Sequence, residues 1–204
     1  MDGYKLFVSG VLITFSDISS SSLFLWEYFT LISSYFIFFM QVNFLVDEGM
    51  CISKGSIAVI SYLHYFFRSY GLGEKHAQLH CDNCSGQNKN RYLLWYLAWR
   101  TMHGLHHSIS LNFLLAGHTK FSPDFCFGLV KKSIQKSSIS TLADIAEAVE
   151  RSAENTMNIA QLVGTEAGTQ FVPTYQWQDF LAPYFRPLPN IKKYHHFRFV
   201  GVCC

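Results

Sequence analysis

The chain has 204 residues, of which half are hydrophobic and 15% charged, and its formal net charge is +2. This length fits one domain that can bury a core, and the composition is apolar for a soluble protein. The six cysteines follow no regular spacing, which argues against a disulfide framework and favours a reducing compartment.

Residues 1–40 form an apolar segment that differs from the rest of the chain. Residues 28–46 are a run of 19 residues without a charge, which is near the length of a membrane-spanning helix. A buried strand also reads as a continuous apolar run, and the QVNFLV end of this stretch has that pattern. We therefore expect a core strand in a nuclear or cytoplasmic protein, with a membrane-tethered protein as the alternative.

From residue 41 onward, apolar periodicity predicts alternating strands and helices. The predicted elements are strands at 41–46, 76–81, 108–116, 159–163 and 194–200 and helices at 56–70, 87–103, 124–136 and 141–154. On the helix at 87–103 the leucines are expected to pack inward and Arg91 and Arg100 to face outward. Ser140 is expected to cap the last helix. This order of elements predicts an α/β fold in which a mixed sheet is flanked by helices.

Two acids lie at strand-to-helix transitions of this pattern. Asp82 ends the strand in LHCDNCSGQNKN, residues 79–90, and a turn containing Gly86 follows it. Asp124 opens the helix in GHTKFSPDFCFG, residues 117–128. Carboxylates at neighbouring transitions of this kind can share a divalent metal ion, so the expected cofactor is weakly bound Mg²⁺ or Mn²⁺.

Polar neighbours of the two acids allow two interpretations each. Asn83 and Gln87 could orient the first acid or the substrate, or they could satisfy amides of the turn. His118 and Lys120 could contact a phosphate or orient the second acid. For the histidine we favour the simpler interpretation, a hydrogen bond to its own loop.

The spacing Cys81-x-x-Cys84 suggests a different metal site. Together with His103 and His106 it has the order of a C-x2-C…H-x2-H zinc motif. Cys81 ends an apolar strand, however, and the helix in between would have to return both histidines to the turn. Zinc is therefore the weaker interpretation.

Basic residues cluster around this region. Between residues 86 and 136 there are seven lysines and arginines and one acid, and between 186 and 198 there are four more and no acid. This distribution favours a polyanionic partner, here DNA bound electrostatically, over a small-molecule substrate. The alternative for the lysines near residue 136 is a solvated helix face. The candidate nucleic-acid-binding residues are Lys89, Arg91, Lys120, Lys131, Lys132 and Lys136.

The motifs DNCSGQNKN and GHTKFSPDFCFG, with QVNFLVDE, AQLVGT and KKYHHFRF, resemble an animal family of transposon-derived proteins. That family has an RNase H-like (DDE-type) transposase core. The resemblance implies a divergent segment at 1–40 and an RNase H-like domain at 41–204. It implies that Asp82 and Asp124 are the second and third acids of a catalytic, metal-binding set.

The first acid of the family's set has no matching motif in residues 1–40. Asp17 could replace it only if the VLITF run before it became the central strand. Two-metal chemistry needs carboxylates from several elements, so we expect a domain of polynucleotidyl-transferase ancestry that is inactive. A non-catalytic DNA- or protein-binding remnant is the alternative.

Overall fold

A computed structural model describes residues 4–7, 11–15, 41–47, 55–71, 73–114, 122–153, 158–165 and 167–201. These residues form an α/β fold with helices packed on mixed sheets, which confirms the predicted fold class. The described strands divide into two hydrogen-bonded sheets, whereas the sequence pattern predicted one.

The elements follow the predicted order with adjusted ends. The strands are β1 (Tyr4–Phe7), β2 (Val11–Phe15), β3 (Gln41–Asp47), β4 (His76–Cys81), β5 (Ser108–Phe113), β6 (Asn158–Leu162) and β7 (His196–Val200). The helices are α1 (Ser56–Ser69), α2 (Arg91–Met102), α3 (Ser122–Gln135), α4 (Leu142–Glu150) and α5 (Trp177–Leu181), and a 3-10 turn spans Ile191–Lys193.

The first sheet has the order β1-β3-β6, with β3 antiparallel to β1 and parallel to β6. The second has the order β2-β4-β5-β7, in which β4 and β5 are parallel and the two outer strands are antiparallel to their neighbours. The segment 1–40 thus contributes one strand to each sheet.

Both faces of β3 are buried. Phe44 and Val46 pack against α1 on one face, and Leu45 packs against α3 and α4 on the other. A strand covered on both faces has no polar side to alternate with, which explains the continuous apolar run in this part of the sequence. Among the described residues no helix is long and apolar enough to cross a membrane. Residues 28–40 lie outside the described residues.

The second sheet is buried on one face. Ala77, Leu79 and Cys81 of β4 and the alternate residues of β5 lie in the main core with α1, α2 and α5. The intervening residues on the opposite face of these strands are polar and partly or fully exposed, and they include His80 and Asn112. This face of the sheet is therefore available for a function.

Helix α2 begins at Arg91, four residues after the predicted start at 87. Asn90 sets this boundary because its side-chain oxygen accepts hydrogen bonds from the amides of Tyr92 at 3.0 Å and Leu93 at 3.1 Å. An asparagine at this position satisfies amides that have no partner within the helix. Residues 85–88 form a turn instead of the first helical turn.

Arg100 was expected to face outward, but only 6% of it is exposed. Its Nε donates to Nδ1 of His106 at 3.2 Å, and its Nη1 donates to the hydroxyl of Tyr96 at 3.0 Å. The guanidinium also lies 4.4 Å from the ring centroid of Phe67. Hydrogen-bond acceptors and an aromatic face thus replace the water that an exposed arginine would bind, which explains its burial.

This network extends to a second histidine, since the Tyr96 hydroxyl lies 3.2 Å from Nδ1 of His64. Burial, followed by the charge of Arg100, lowers the pKa of His64 and of His106 to about 4. Both imidazoles are therefore neutral at neutral pH and can accept a hydrogen bond on Nδ1. Protonation would remove that acceptor and place a second cation beside the buried guanidinium.

We expect the free energy of unfolding to fall as the pH is lowered from about 6.5 to about 4. In this window the unfolded chain binds protons at His64 and His106 that the folded chain does not, so stability rises with pH. For buried His106 the loss should reach up to about 3 kcal/mol. Urea denaturation between pH 7 and pH 4 measures it. His106→Asn, which keeps an acceptor that does not titrate, should remove the part of the dependence that comes from His106 and leave the part from His64, whereas exposed His107→Asn should leave the whole dependence unchanged.

Helix α4 is capped by Thr141 and not by Ser140. Oγ1 of Thr141 accepts from the amide of Asp144 at 3.2 Å, and the Asp144 carboxylate accepts from the Thr141 amide at 2.8 Å. Ser140 contributes its backbone amide to the same carboxylate at 2.8 Å. These hydrogen bonds, the one from the Ser140 amide first, lower the pKa of Asp144. Asp144 thus completes a capping box.

Thr141→Ala should destabilise the protein by about 1 kcal/mol, because it leaves an amide of the first turn without an acceptor. Ser140→Ala is the matched control and should be close to neutral, since the bond from residue 140 comes from its backbone. Thermal or urea unfolding of the two variants checks this. Equal losses at both positions would contradict the assignment of the cap.

Candidate functional site

The parallel pairing of β4 and β5 brings two strand ends together. Cys81 is paired with Phe113, so Asp82 and Leu114 leave the sheet side by side. The Leu114 amide donates to the Cys81 carbonyl at 2.9 Å, and Nδ2 of Asn83 donates to the Leu114 carbonyl. The turn after β4 is therefore fixed to the end of β5, at the edge where α/β folds commonly place functional residues.

Asp82 is exposed at this edge and is held by one of its two carboxylate oxygens. Its Oδ1 accepts from the Cys84 amide at 3.0 Å and from Nδ2 of Asn88 at 2.8 Å. Its Oδ2 accepts no hydrogen bond from the described residues. The carboxylate is thus oriented by its own turn and keeps one oxygen free for a ligand.

The turn itself is organised around a carbonyl oxygen. The Cys84 carbonyl accepts from the amides of Gln87, Asn88 and Lys89 at 3.3, 2.8 and 2.9 Å. Nδ2 of Asn90 donates to the Gln87 carbonyl at 2.9 Å, which joins the turn to the cap of α2. These bonds use the backbone of residue 87, so both interpretations of the Gln87 side chain stay predictions.

Lys89 differs from the other predicted nucleic-acid-binding residues because it is only 6% exposed. Its ammonium donates to Oδ1 of Asn83 at 2.9 Å and lies 5.0 Å from the ring centroid of Phe113. These contacts hold the charged ammonium group inside the turn, away from a ligand at the surface. We therefore omit Lys89 from the phosphate-contacting surface considered below.

The remaining described candidates are exposed. Lys131, Lys132 and Lys136 lie on the C-terminal half of α3 and just beyond it. Arg91 opens α2 and donates to the Tyr92 hydroxyl at 2.8 Å. These three exposed lysines are called the α3 lysine cluster.

The third predicted acid, Asp124, lies in the first turn of α3. Its side chain is outside the described part of the structure, as are residues 115–121, which include His118 and Lys120. The convergence of Asp82 and Asp124 on one ion therefore stays a prediction.

Strand β2 bears on the proposed role of Asp17, which itself lies outside the described residues. The VLITF run is a strand beside β4, as that role requires, but it lies at the edge of the sheet and runs antiparallel. Val11 is paired with Cys81, and Phe15 with Ala77. The last residue of β2 thus lies about 13 Å along the strands from the end of β4, at four residues of roughly 3.3 Å each. Among the described strands the VLITF run is therefore an edge strand and not the central strand that a role for Asp17 requires.

The zinc interpretation does not fit the positions of its residues. Cys81 is fully buried in the apolar core, and burial raises the pKa of its thiol to about 12. Nδ1 of His106 is occupied by Arg100. Among the described residues no group of three or more His, Cys, Asp or Glu side chains is arranged to hold a metal ion.

The expected Mg²⁺ or Mn²⁺ ion can be compared with the oxygen atoms that the turn after β4 provides. Oδ2 of Asp82 is a free carboxylate oxygen, and the adjacent Asn88 has a buried Oδ1 without a hydrogen-bond partner. Oxygen donors of this kind suit a hard divalent cation. The described residues thus fit a hydrated divalent ion held by one carboxylate, that of Asp82. Such an ion would neutralise the charge of a phosphate.

A pocket beside this turn was not identified from the sequence. It has a volume of about 730 Å³ and is lined by His80, Asn112, the end of β5 and residues 193–196. Two patterns could have revealed it: the alternation of polar and apolar residues along β4, and the run of basic residues between 186 and 198. Neither pattern indicates by itself that the two segments meet.

Comparison with known proteins gives one match. Residues 44–202 match the family model described as "Domain of unknown function (DUF7869)". No curated protein and no solved structure matches the chain. Because the match covers more than half of the chain, this protein belongs to the family described as Domain of unknown function (DUF7869).

Proposed function

We propose that this chain is a nucleic-acid-binding domain of metal-dependent polynucleotidyl-transferase ancestry that has no catalytic activity of its own. The observation that carries the binding part is the α3 lysine cluster. Lys131, Lys132 and Lys136 are all exposed within six residues, and α3 itself is anchored by the buried Val130 beside them. A fixed row of cations attracts the phosphates of a nucleic acid without reading its sequence.

The ancestry part is supported by the motif resemblance and by the position of Asp82. The acid follows a strand of a mixed sheet and has an oriented carboxylate with one free oxygen. RNase H-like enzymes, which the motifs resemble, use an acid at such a strand end. Asp82 alone would bind a divalent ion weakly, because Mg²⁺ retains its waters unless several ligands replace them.

The inactivity part is supported by β2. A two-metal reaction needs carboxylates from several elements around both ions. Among the described strands, the one next to β4 is an edge strand that runs antiparallel to it, and its residues 11–15 include no acid, so β2 itself adds no carboxylate to Asp82.

A protein partner is a second candidate, favoured by exposed aromatic side chains around α5. Phe180 is 48% exposed and Tyr184 is 71% exposed, and their ring centroids lie 6.0 Å apart. Exposed aromatic residues of this kind are enriched at protein interfaces. Such an interface would depend little on salt, which separates it from the nucleic-acid proposal.

DNA binding by the purified chain should weaken steeply with salt. If four phosphates are neutralised, log K should fall with log salt at a slope of about −3.6, and replacing the three lysines of the α3 cluster by glutamine should reduce that slope by about 2.7 units. Filter binding or fluorescence anisotropy with a labelled duplex measures both.

The matched control replaces Glu147 and Glu150, which are exposed on the neighbouring helix α4, by glutamine. This variant changes the net charge by two units without touching the cluster, and the slope should not fall. A flat salt response of the unmodified chain would contradict the proposal, and binding that persists at high salt would favour the protein partner.

Asp82→Asn should remove most of the weak Mn²⁺ binding, because the amide loses the formal charge that attracts the ion. The new side chain keeps an oxygen that can accept from Cys84 and Asn88, so the turn should survive. Manganese binding is followed by the paramagnetic relaxation of water protons. Asp179→Asn, at an exposed acid of α5, should bind as the unmodified chain does.

The unmodified chain should not nick or join DNA in the presence of either ion. Metal-dependent nicking that is lost in both Asp82→Asn and Asp124→Asn would overturn the inactivity part of the proposal. The binding part would stand, since it depends on the lysines and is measured without a metal ion.

A further inference from the structure

The pocket beside the turn lies on the polar face of the second sheet. His80 of β4 and Asn112 of β5 form its floor, and residues 193–196, which lead from the 3-10 turn into β7, form its wall. Its volume of about 730 Å³ falls within the range of roughly 300–1,000 Å³ that small-molecule sites occupy. The floor belongs to paired strands, so the pocket has a rigid base.

The ionisable side chains that line the pocket are all basic or imidazole groups. Lys193 and three histidines, at 80, 195 and 196, contribute to it, and among the described lining residues there is no carboxylate. Asp82 lies two residues after His80 but is held in the turn by Cys84 and Asn88. The charge of the lining is therefore complementary to an anion.

Hydrogen-bonding groups in the pocket are oriented by the strands. Nδ1 of His196 lies 2.9 Å from Oδ1 of Asn112 across the β5–β7 pair. The Phe113 amide donates to the His195 carbonyl at 2.8 Å, which fixes the backbone of the wall. Nδ1 of His195 is buried and has no partner among the described groups. The lining residues are thus held in fixed positions by the strands.

The wall also carries an exposed aromatic ring. Tyr194 is 57% exposed, and its ring packs at 76° against Phe197, with 6.3 Å between the ring centroids. Because more than half of this side chain is exposed, part of it remains accessible for a planar group to stack on. Bases stack on aromatic side chains of this kind with little dependence on sequence.

We propose that this pocket binds a nucleotide unit, with its phosphate against Lys193 and the imidazoles and its base against Tyr194. The inference deepens the proposed function, on which it rests for the idea that the natural source is a nucleic acid strand. A free nucleotide offers the same phosphate and base. The α3 lysine cluster would contact the phosphate backbone, whereas this pocket would take a single unpaired nucleotide.

The test uses the full chain and three probes: a fluorescein-labelled ten-residue thymidine oligonucleotide, thymidine monophosphate and inorganic phosphate. Anisotropy follows the oligonucleotide, and the other two are added as competitors. We expect the chain to bind the oligonucleotide and thymidine monophosphate to compete better than phosphate does. If phosphate competes as well as the nucleotide, the base contributes nothing and the proposal is overturned.

Two pairs of variants locate the site. Lys193→Gln should weaken oligonucleotide binding more than Lys192→Gln, because both lysines are exposed on the same 3-10 turn and only Lys193 lines the pocket. Tyr194→Ala should weaken it roughly 5- to 100-fold, the range expected for a lost stacking contact, and Tyr184→Ala should not. Equal effects within each pair would overturn the pocket as the site. Thermal unfolding of all four variants verifies that they remain folded.

The pocket and the proposed function can fail separately. Replacing the α3 lysine cluster should leave the effect of Tyr194→Ala on the oligonucleotide unchanged. A flat salt response with duplex DNA, combined with Tyr194-dependent competition by thymidine monophosphate, would contradict the proposed function and retain the pocket as a site for a free nucleotide. Salt-dependent duplex binding without any effect at Lys193 or Tyr194 would do the reverse.

Discussion

The parallel register of β4 and β5 is the constraint from which the candidate site follows. It pairs Cys81 with Phe113, and the Leu114 amide extends the ladder by one bond to the Cys81 carbonyl. The register is enforced by burial, because a shift of one residue would turn the buried side chains of β4 to the polar face. The edge with Asp82, the tie from Asn83 and the floor of the pocket all depend on this alignment.

The motif DNCSGQNKN has a structural role that does not depend on any activity. Its polar side chains mostly hold the turn: Asp82 accepts from Asn88, Asn83 accepts from Lys89, and Asn90 caps the next helix. Each of these contacts satisfies a polar group that would otherwise lie at a partly buried edge. A chain could therefore retain the whole motif for the stability of the turn after catalysis has been lost.

The sequence predicted the elements better than their ends and their buried polar contacts. Strand β4 and helix α1 could be predicted because the apolar periodicity of each lies within its own segment of the sequence. The burial of Arg100 could not be predicted, since Phe67 on α1 and His106 in the loop after α2 meet it only in the fold, although Tyr96 lies one turn earlier on the same helix. The pocket could not be predicted for the same reason, because its floor and its wall are more than 80 residues apart in the chain.

Helix α1 connects the two sheets that carry the two proposed contacts. Ala58 and Tyr62 pack in the cluster of the first sheet, over which α3 also lies, while Ile60 and Leu63 pack in the cluster of the second. Between these two faces the buried hydroxyl of Ser61 accepts from the indole of Trp177 at 3.2 Å. Because close-packed interiors transmit displacement, a change in α1 is felt in the cores of both sheets. The buried side of each sheet is thus joined to the other through this helix, while the lysine cluster and the pocket lie on the sides that face away from it.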